Sequence, residues 1–284
     1  MSNFAVRLLT ALVGMPIILG ILYVGPAVGW FGLCATAMLI ATWEFLTMTH
    51  PDDPTGRWLG MALTLGTFAL IVATRFGTLH GAWLAAGLVS LAPIPRLASL
   101  ARPDRIPSAL PRNGALLTAP LYLGAPIGAL ALVRTFGTPI QGGGLCLLAM
   151  LFAWMGDTGG YFAGKGLGGP KLYPAVSPNK TWTGAVGGLV GSTLGSVIAH
   201  FTFLPALSLA QGVALAVVAG AFGQVGDLCE SILKRSAGVK DSGALLPGHG
   251  GILDRIDALL FCGLTMFAAL QSGWLEGFVQ RARL

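Results

Sequence analysis

The sequence predicts an all-α polytopic membrane protein of about nine transmembrane helices, on three observations. Hydrophobic residues fill 54% of the 284 positions and charged residues only 10%, and the mean hydropathy is +0.76, outside the range of soluble domains of this size. Apolar segments of about 20 residues, the length that crosses a hydrocarbon core, recur along the chain. The basic residues fall unevenly between those segments, as they do in proteins that insert with one orientation.

The apolar segments lie at about 6–24, 28–49, 58–75, 79–95, 114–133, 142–163, 183–203, 208–227 and 257–279. The first follows Arg7 and lacks a small-residue cleavage site, so it reads as a membrane helix and not as a removed signal peptide. The fourth is the weakest, because Pro93 and Pro95 cut it short. No stretch sustains the two-residue alternation of a barrel strand. With the N-terminus in the cytoplasm, the inside segments hold Arg7, Arg57, the four arginines of 96–112, Lys165, Lys171, Lys180, Lys234, Arg235, Lys240 and Arg255. The outside segments hold Arg75, Arg134, Arg281 and Arg283, a split of 13 against 4. Omitting one early helix would reverse the later loops, so count and orientation support each other. The polar segments 164–182 and 228–256 then face the cytoplasm, where nucleotides are found.

The net charge of +6 does not point to nucleic acid, since no basic run or aromatic-basic interleaving is present. Cys34, Cys146, Cys229 and Cys262 stand singly in or beside apolar segments, so they suggest neither a disulfide framework nor a zinc site. No internal repeat is visible. All five lysines fall between residues 165 and 240, while the first 164 residues use only arginine. The chain therefore divides into an N-terminal transmembrane scaffold, 1–135, and a C-terminal catalytic transmembrane region, 136–284. The segment 96–112, with four Arg and three Pro, reads as a surface hairpin near anionic headgroups or equally as a determinant of topology.

Residues 227–257 hold nine of the 28 charges. Asp227, Glu230, Ser231 and Lys234 follow one another at steps of three and four, which puts them on one helical face. Asp254 and Asp257 are three apart and open the last apolar segment, where a helix N-terminus favours carboxylates. The glycines between them let the backbone turn tightly and approach a ligand. Two acidic helix ends meeting around Mg²⁺, with Lys234, Arg235 and Lys240 reaching phosphate oxygens, is the chemistry this composition suits. A lone Asp-x-x-Asp would more often cap a helix; a whole cluster of charge at a membrane border is harder to justify structurally. Upstream, Asp157 is a single carboxylate in an apolar run and needs a partner or a wet cavity. Ser177, Asn179 and Lys180 offer a hydroxyl, an amide and an ammonium on a loop between helices, suited to nucleotide phosphates or the base. Glu44 is a second intramembrane acid, read as structural. His249, between glycines, could donate to a phosphate or simply fit a turn.

The stretch Ser231, Lys234-Arg235, Lys240-Asp241, His249-Gly250-Gly251, Asp254-Arg255 and Asp257 resembles the signature of the phosphatidate cytidylyltransferase (CDP-diacylglycerol synthase) family at every fixed position. The similarity extends upstream through Asp157-Thr-Gly-Gly-Tyr, Ser177-Pro-Asn-Lys-Thr-Trp-Thr-Gly184 and Gly226-Asp-Leu-Cys-Glu-Ser231. It covers the C-terminal half; the N-terminal half resembles the family only in being helical and hydrophobic.

The resemblance implies transfer of a cytidylyl group from CTP to phosphatidate, with CDP-diacylglycerol and pyrophosphate as products, a Mg²⁺ requirement, and a homodimer; a bacterial inner membrane is expected from the compactness of the chain and the lack of a transit segment. It makes Asp227 and Asp254 the first metal ligands, with Asp257 and Glu230 second; Asp227, Asp254, Lys234, Arg235 and Lys240 form the catalytic set, its basic members holding the substrates and stabilising charge on pyrophosphate. Asp157, Ser177, Asn179, Lys180, Ser231, His249 and Arg255 are then substrate-binding candidates. Two other classes remain: a CTP-dependent lipid or polyprenol kinase, which would release CDP, and a transporter with broken helices, which would spread its acids through several spans.

Overall fold

The computed structural model describes residues 3–77, 81–243, 250–275 and 277–278. Its architecture is all-α apart from one small hairpin. The helices are α1 (Asn3–Tyr23), α2 (Ala27–Thr49), α3 (Pro54–Ala73), α4 (Gly81–Ser90), α5 (Ile94–Leu100), α6 (Ala109–Ala119), α7 (Ala125–Val133), α8 (Pro139–Leu167), α9 (Trp182–Phe201), α10 (Leu209–Ser236) and α11 (Leu253–Gln271). A wide π-turn at Pro120–Gly124 joins α6 to α7, since Pro120 and Pro126 each remove a backbone donor from the run.

Six helical runs are long and apolar enough to cross a membrane among the described residues: Ala27–Thr49, Pro54–Phe76, Ile106–Val133, Pro139–Leu167, Trp182–Phe201 and Leu209–Ser236. The other three of the nine expected segments stand apart from these. In the first, α1, the described side chains begin at Leu12, and the apolar stretch from there to Tyr23 is the part counted. The fourth is broken between α4 and α5, where Pro93 stands before the new helix and Pro95 sits in its first turn. The last, α11, carries Asp254, Arg255 and Asp257 in its first five residues.

Helix starts follow local chemistry. Thr138 and Gln141 form a reciprocal capping box on α8, Ser208 accepts from Gln211 N at the start of α10, and Thr181 accepts from Gly184 N at the start of α9; each supplies an acceptor for an otherwise unpaired N–H. The core lies between α2, α7, α8 and α11, with Trp30, Phe45, Leu145 and Phe152 fully enclosed. α8 and α9 pack closer than side chains allow. A Cβ on Gly159 would strike Gly187 O, and one on Gly191 would strike Met155 O, so glycine is what permits the approach.

Three sequence expectations need correction. Ser177–Thr181 is not a loop but strand β2, antiparallel to β1 (Lys171–Tyr173) with Lys171 opposite Thr181. The helix expected to end at 227 runs further: α10 continues to Ser236, as the helical spacing of Asp227, Glu230, Ser231 and Lys234 implied, supported by the Glu230–Lys234 pair one turn apart and by two basic residues at its C-terminal end, which the helix dipole favours. The segment 96–112 is no hairpin. It forms α5, a 3₁₀ turn at Pro103–Ser108 and the start of α6, and folds back so that Arg102 and Arg112 both pair with buried Asp53.

Candidate active site

α10 and α11 lie side by side, and their close approach sets the site. A Cβ on Gly226 would meet both Phe261 and Asp257 O, so only glycine lets Asp227, the next residue, come up against the first turn of α11. One carboxylate oxygen each from Asp227, Glu230 and Asp257 lies within 4.8 Å of the others. Glu230 and Asp257 are buried. Three hard oxygen donors at this spacing could hold a divalent cation such as Mg²⁺.

Two lysines pair with carboxylates here. Lys180, at the end of β2, pairs with Asp227. Lys234 bridges Glu230 at 2.5 Å and Asp254 at 2.6 Å. Counted as fully ionised, the four carboxylates Asp227, Glu230, Asp254 and Asp257 exceed the two ammonium groups by two negative charges. Such an excess at a half-buried site calls for a cation to offset it.

Beside the cluster opens a cavity of ≈ 600 Å³.

 It is lined by Asp157, Tyr161 and Lys165 from α8, Asn179 and Lys180 from β2, and Gln224 and Asp227 from α10, over a floor of glycines from α8 and α9. One end of the cavity is thus acidic and able to hold a cation, and its rim carries ammonium and amide donors, the pairing that a polyphosphate substrate requires.

A sequence model described as the cytidylyltransferase family matches residues 5–272. The chain belongs to the cytidylyltransferase family. Among its relatives is the phosphatidate cytidylyltransferase of Brucella suis biovar 1 (strain 1330), 35% identical over 272 residues that cover 94% of this chain and 93% of that protein. The phosphatidate cytidylyltransferase of Haemophilus influenzae is 43% identical over 125 residues, 43% of each chain. That of Staphylococcus haemolyticus is 46% identical over 115 residues, 40% of this chain and 44% of the other.

The geometry sorts the family-signature residues into three groups. Asp227, Glu230, Asp257, Lys180 and Lys234 converge, and Ser231 Oγ sits 3.5 Å from Asp227 Oδ1. Asp157 and Asn179 join them across the cavity. Asp254 stands one step back: Oδ1 accepts from Lys234, and Oδ2 accepts from Ser242 N at 3.0 Å and Gly251 N at 2.9 Å. Its carboxylate therefore orders the loop and Lys234, while the three-carboxylate group takes Asp257 in its place. Arg235 points away, donating to Val176 O at 3.3 Å and Val239 O at 3.0 Å, and so ties the β-hairpin to α10. Ser177 pairs with Tyr173 in the hairpin, and Lys240 and Arg255 are exposed. His249 lies outside the described residues.

Two residues beside the site were not among its sequence candidates: Glu44, noted as an intramembrane acid and read as structural, and Ser242. Glu44 accepts from Ile252 N at 3.0 Å, Leu253 N at 2.9 Å and Ser242 Oγ at 3.2 Å. Its isolation in an apolar helix was the available signal. Ser242 links Glu44 and Asp254: its N–H donates to Asp254, and its single hydroxyl proton is shared between the two carboxylates; nothing in its sequence context marks it.

Proposed function

We propose that this chain is a phosphatidate cytidylyltransferase that uses Mg²⁺, in an inner membrane, with nine spans and its polar loops in the cytoplasm. The reading rests on the family membership, on full-length similarity to proteins of that name, and on one structural observation: a carboxylate trio paired with two lysines, whose members Asp227 and Lys180 also line a cavity. An oxygen of the phosphatidate phosphate attacks the α-phosphorus of CTP. The new P–O bond forms as the bond to the β-phosphate oxygen breaks, and pyrophosphate leaves. The attacking group is already an anion, so the difficulty is bringing it to a polyanion.

Mg²⁺ held by Asp227, Glu230 and Asp257 would offset phosphate charge. Lys180, held against Asp227, is placed to turn to the nucleotide's phosphates when CTP enters. Lys234 keeps Glu230 and Asp254 oriented. Asp157 and Asn179 line the space left for the rest of the substrate. The pairing of a lipid and a water-soluble nucleotide fits a site at the end of membrane helices.

Purified protein incubated with CTP, Mg²⁺ and phosphatidate tests the reading. Equimolar pyrophosphate and CDP-diacylglycerol are expected. Release of CDP with a phosphorylated lipid would instead establish a CTP-dependent kinase.

A further inference from the structure

We infer that Glu44, on α2 in the N-terminal half, is a positioning residue for nucleotidyl transfer: it caps α11 and, through Ser242, fixes Asp254 and the carboxylate cluster. The inference rests on the cluster being the seat of the reaction.

The first N–H groups of a helix have no partner inside it. Ile252, at the N-cap of α11, offers no side-chain acceptor. Glu44 supplies one from 208 positions away: Oε1 takes Ile252 N and Oε2 takes Leu253 N. A carboxylate also suits the positive end of the helix dipole. Two oxygens used on two successive N–H groups fix the orientation of the helix start, and that start carries Asp254 and Asp257.

The contact continues into the site without a gap. Ser242 Oγ lies 3.2 Å from Glu44 and 2.9 Å from Asp254. Asp254 holds Lys234, and Lys234 holds Glu230 of the trio. Two glycines of the loop are explained by the same carboxylate. A Cβ on Gly243 would lie 2.7 Å from Glu44 Oε1, and one on Gly251 would collide with Ser242 Oγ and Glu44 Oε2. The two described ends of the loop thus close on Glu44, so a residue of the scaffold half sets the geometry of the reacting half.

Glu44→Gln tests this, because an amide offers one acceptor and must turn its NH₂ toward the second N–H. The full chain is purified in detergent, Mn²⁺ binding is followed by electron paramagnetic resonance without substrates, and kcat and KM for CTP are measured separately. Loss of a group that orients metal ligands typically weakens metal affinity or activity about ten- to a hundredfold, and that loss is expected in Mn²⁺ affinity and in kcat. A Glu44 that only stabilises the fold would lower yield or melting temperature and leave Mn²⁺ affinity and kcat per folded molecule at wild-type values; that result overturns the inference. Should Glu44→Gln fail to accumulate, Ser242→Ala decides, since it removes the bridging hydroxyl and keeps the backbone donors: a fall in the same quantities is expected, and unchanged values overturn the inference. If the wild type turns over without binding Mn²⁺, kcat alone decides. A wild type that makes no CDP-diacylglycerol would sink the functional reading itself, a different outcome from intact turnover in both variants.

Discussion

Two clusters of buried charge, one in each half of the molecule, are built on opposite balances. In the N-terminal half one carboxylate, Asp53, is held by two guanidinium groups: Arg102 at 2.6 Å, and Arg112. Asp53 also caps α3 by accepting from Gly56 N at 2.9 Å. Both oxygens of that carboxylate are engaged. In the C-terminal half, Asp227, Glu230, Asp254 and Asp257 share Lys180 and Lys234, and the balance is two charges short. The first arrangement is complete as it stands and joins α3 to the segment before α6. The second is incomplete until something positive arrives. An excess of like charge in a buried place, more than the presence of charge, separates a site from a strut.

The largest effect expected from breaking this contrast is at Asp257. Asp257→Asn keeps the shape and removes one of three clustered carboxylates. Turnover of CTP and phosphatidate should fall by about a thousandfold, the scale of losing a main electrostatic contributor to a transition state. Radiolabelled CTP transfer in membranes containing equal amounts of variant and wild type measures it. Retention of most of the activity would remove Asp257 from the metal-binding set.

Asp254→Asn sharpens the same point with a smaller loss. Asp254 accepts from Lys234, Ser242 and Gly251, so it holds other groups in place, and outer groups of this kind are worth about ten- to a hundredfold. An Asp254 loss equal to that of Asp257, measured in the same assay, would return Asp254 to the ligand set, as the sequence first suggested.

Much of this was legible in the residues, and what was hidden has physical causes. The membrane class followed from composition, since apolar spans have no rival reading at this hydropathy. The convergence of Asp227, Glu230 and Lys234 followed from helical spacing. The choice between Asp254 and Asp257 did not, because the two stand three apart at the start of α11 and only its rotation against α10 decides which groups with Asp227. The β-hairpin at 171–181 escaped because strands of three and five residues carry too little alternation to be read. Glu44 was visible as an oddity, but its partners are backbone N–H groups more than 200 positions away, and no local pattern records that. The expectation of nine spans met helices that are shortened by proline or charged at their starts, where length and hydropathy alone do not decide crossing.

The smallest effect on catalysis is expected at Asp53, and its absence there matters to the comparison. Burial alone would raise the Asp53 carboxyl, but the Gly56 N–H and the two guanidinium groups outweigh it and hold it at about 2. A carboxyl with a depressed folded value stabilises the fold above its unfolded value, about 3.9, and loses that contribution as pH falls toward 2. Asp53→Asn can still cap α3, as asparagine is a good N-cap, but it cannot answer two arginines. Its melting temperature in detergent should lie below that of the wild type at pH 6, and the gap should narrow as the pH is lowered from about 4 toward 2, because the wild type then loses the same charge. Per folded molecule, CTP turnover at neutral pH should stay within about twofold of wild type, as the clasp is complete without substrate. A loss at Asp53 as deep as that at Asp254 would mean that the N-terminal clasp also serves the reaction, and the contrast between strut and site would fail.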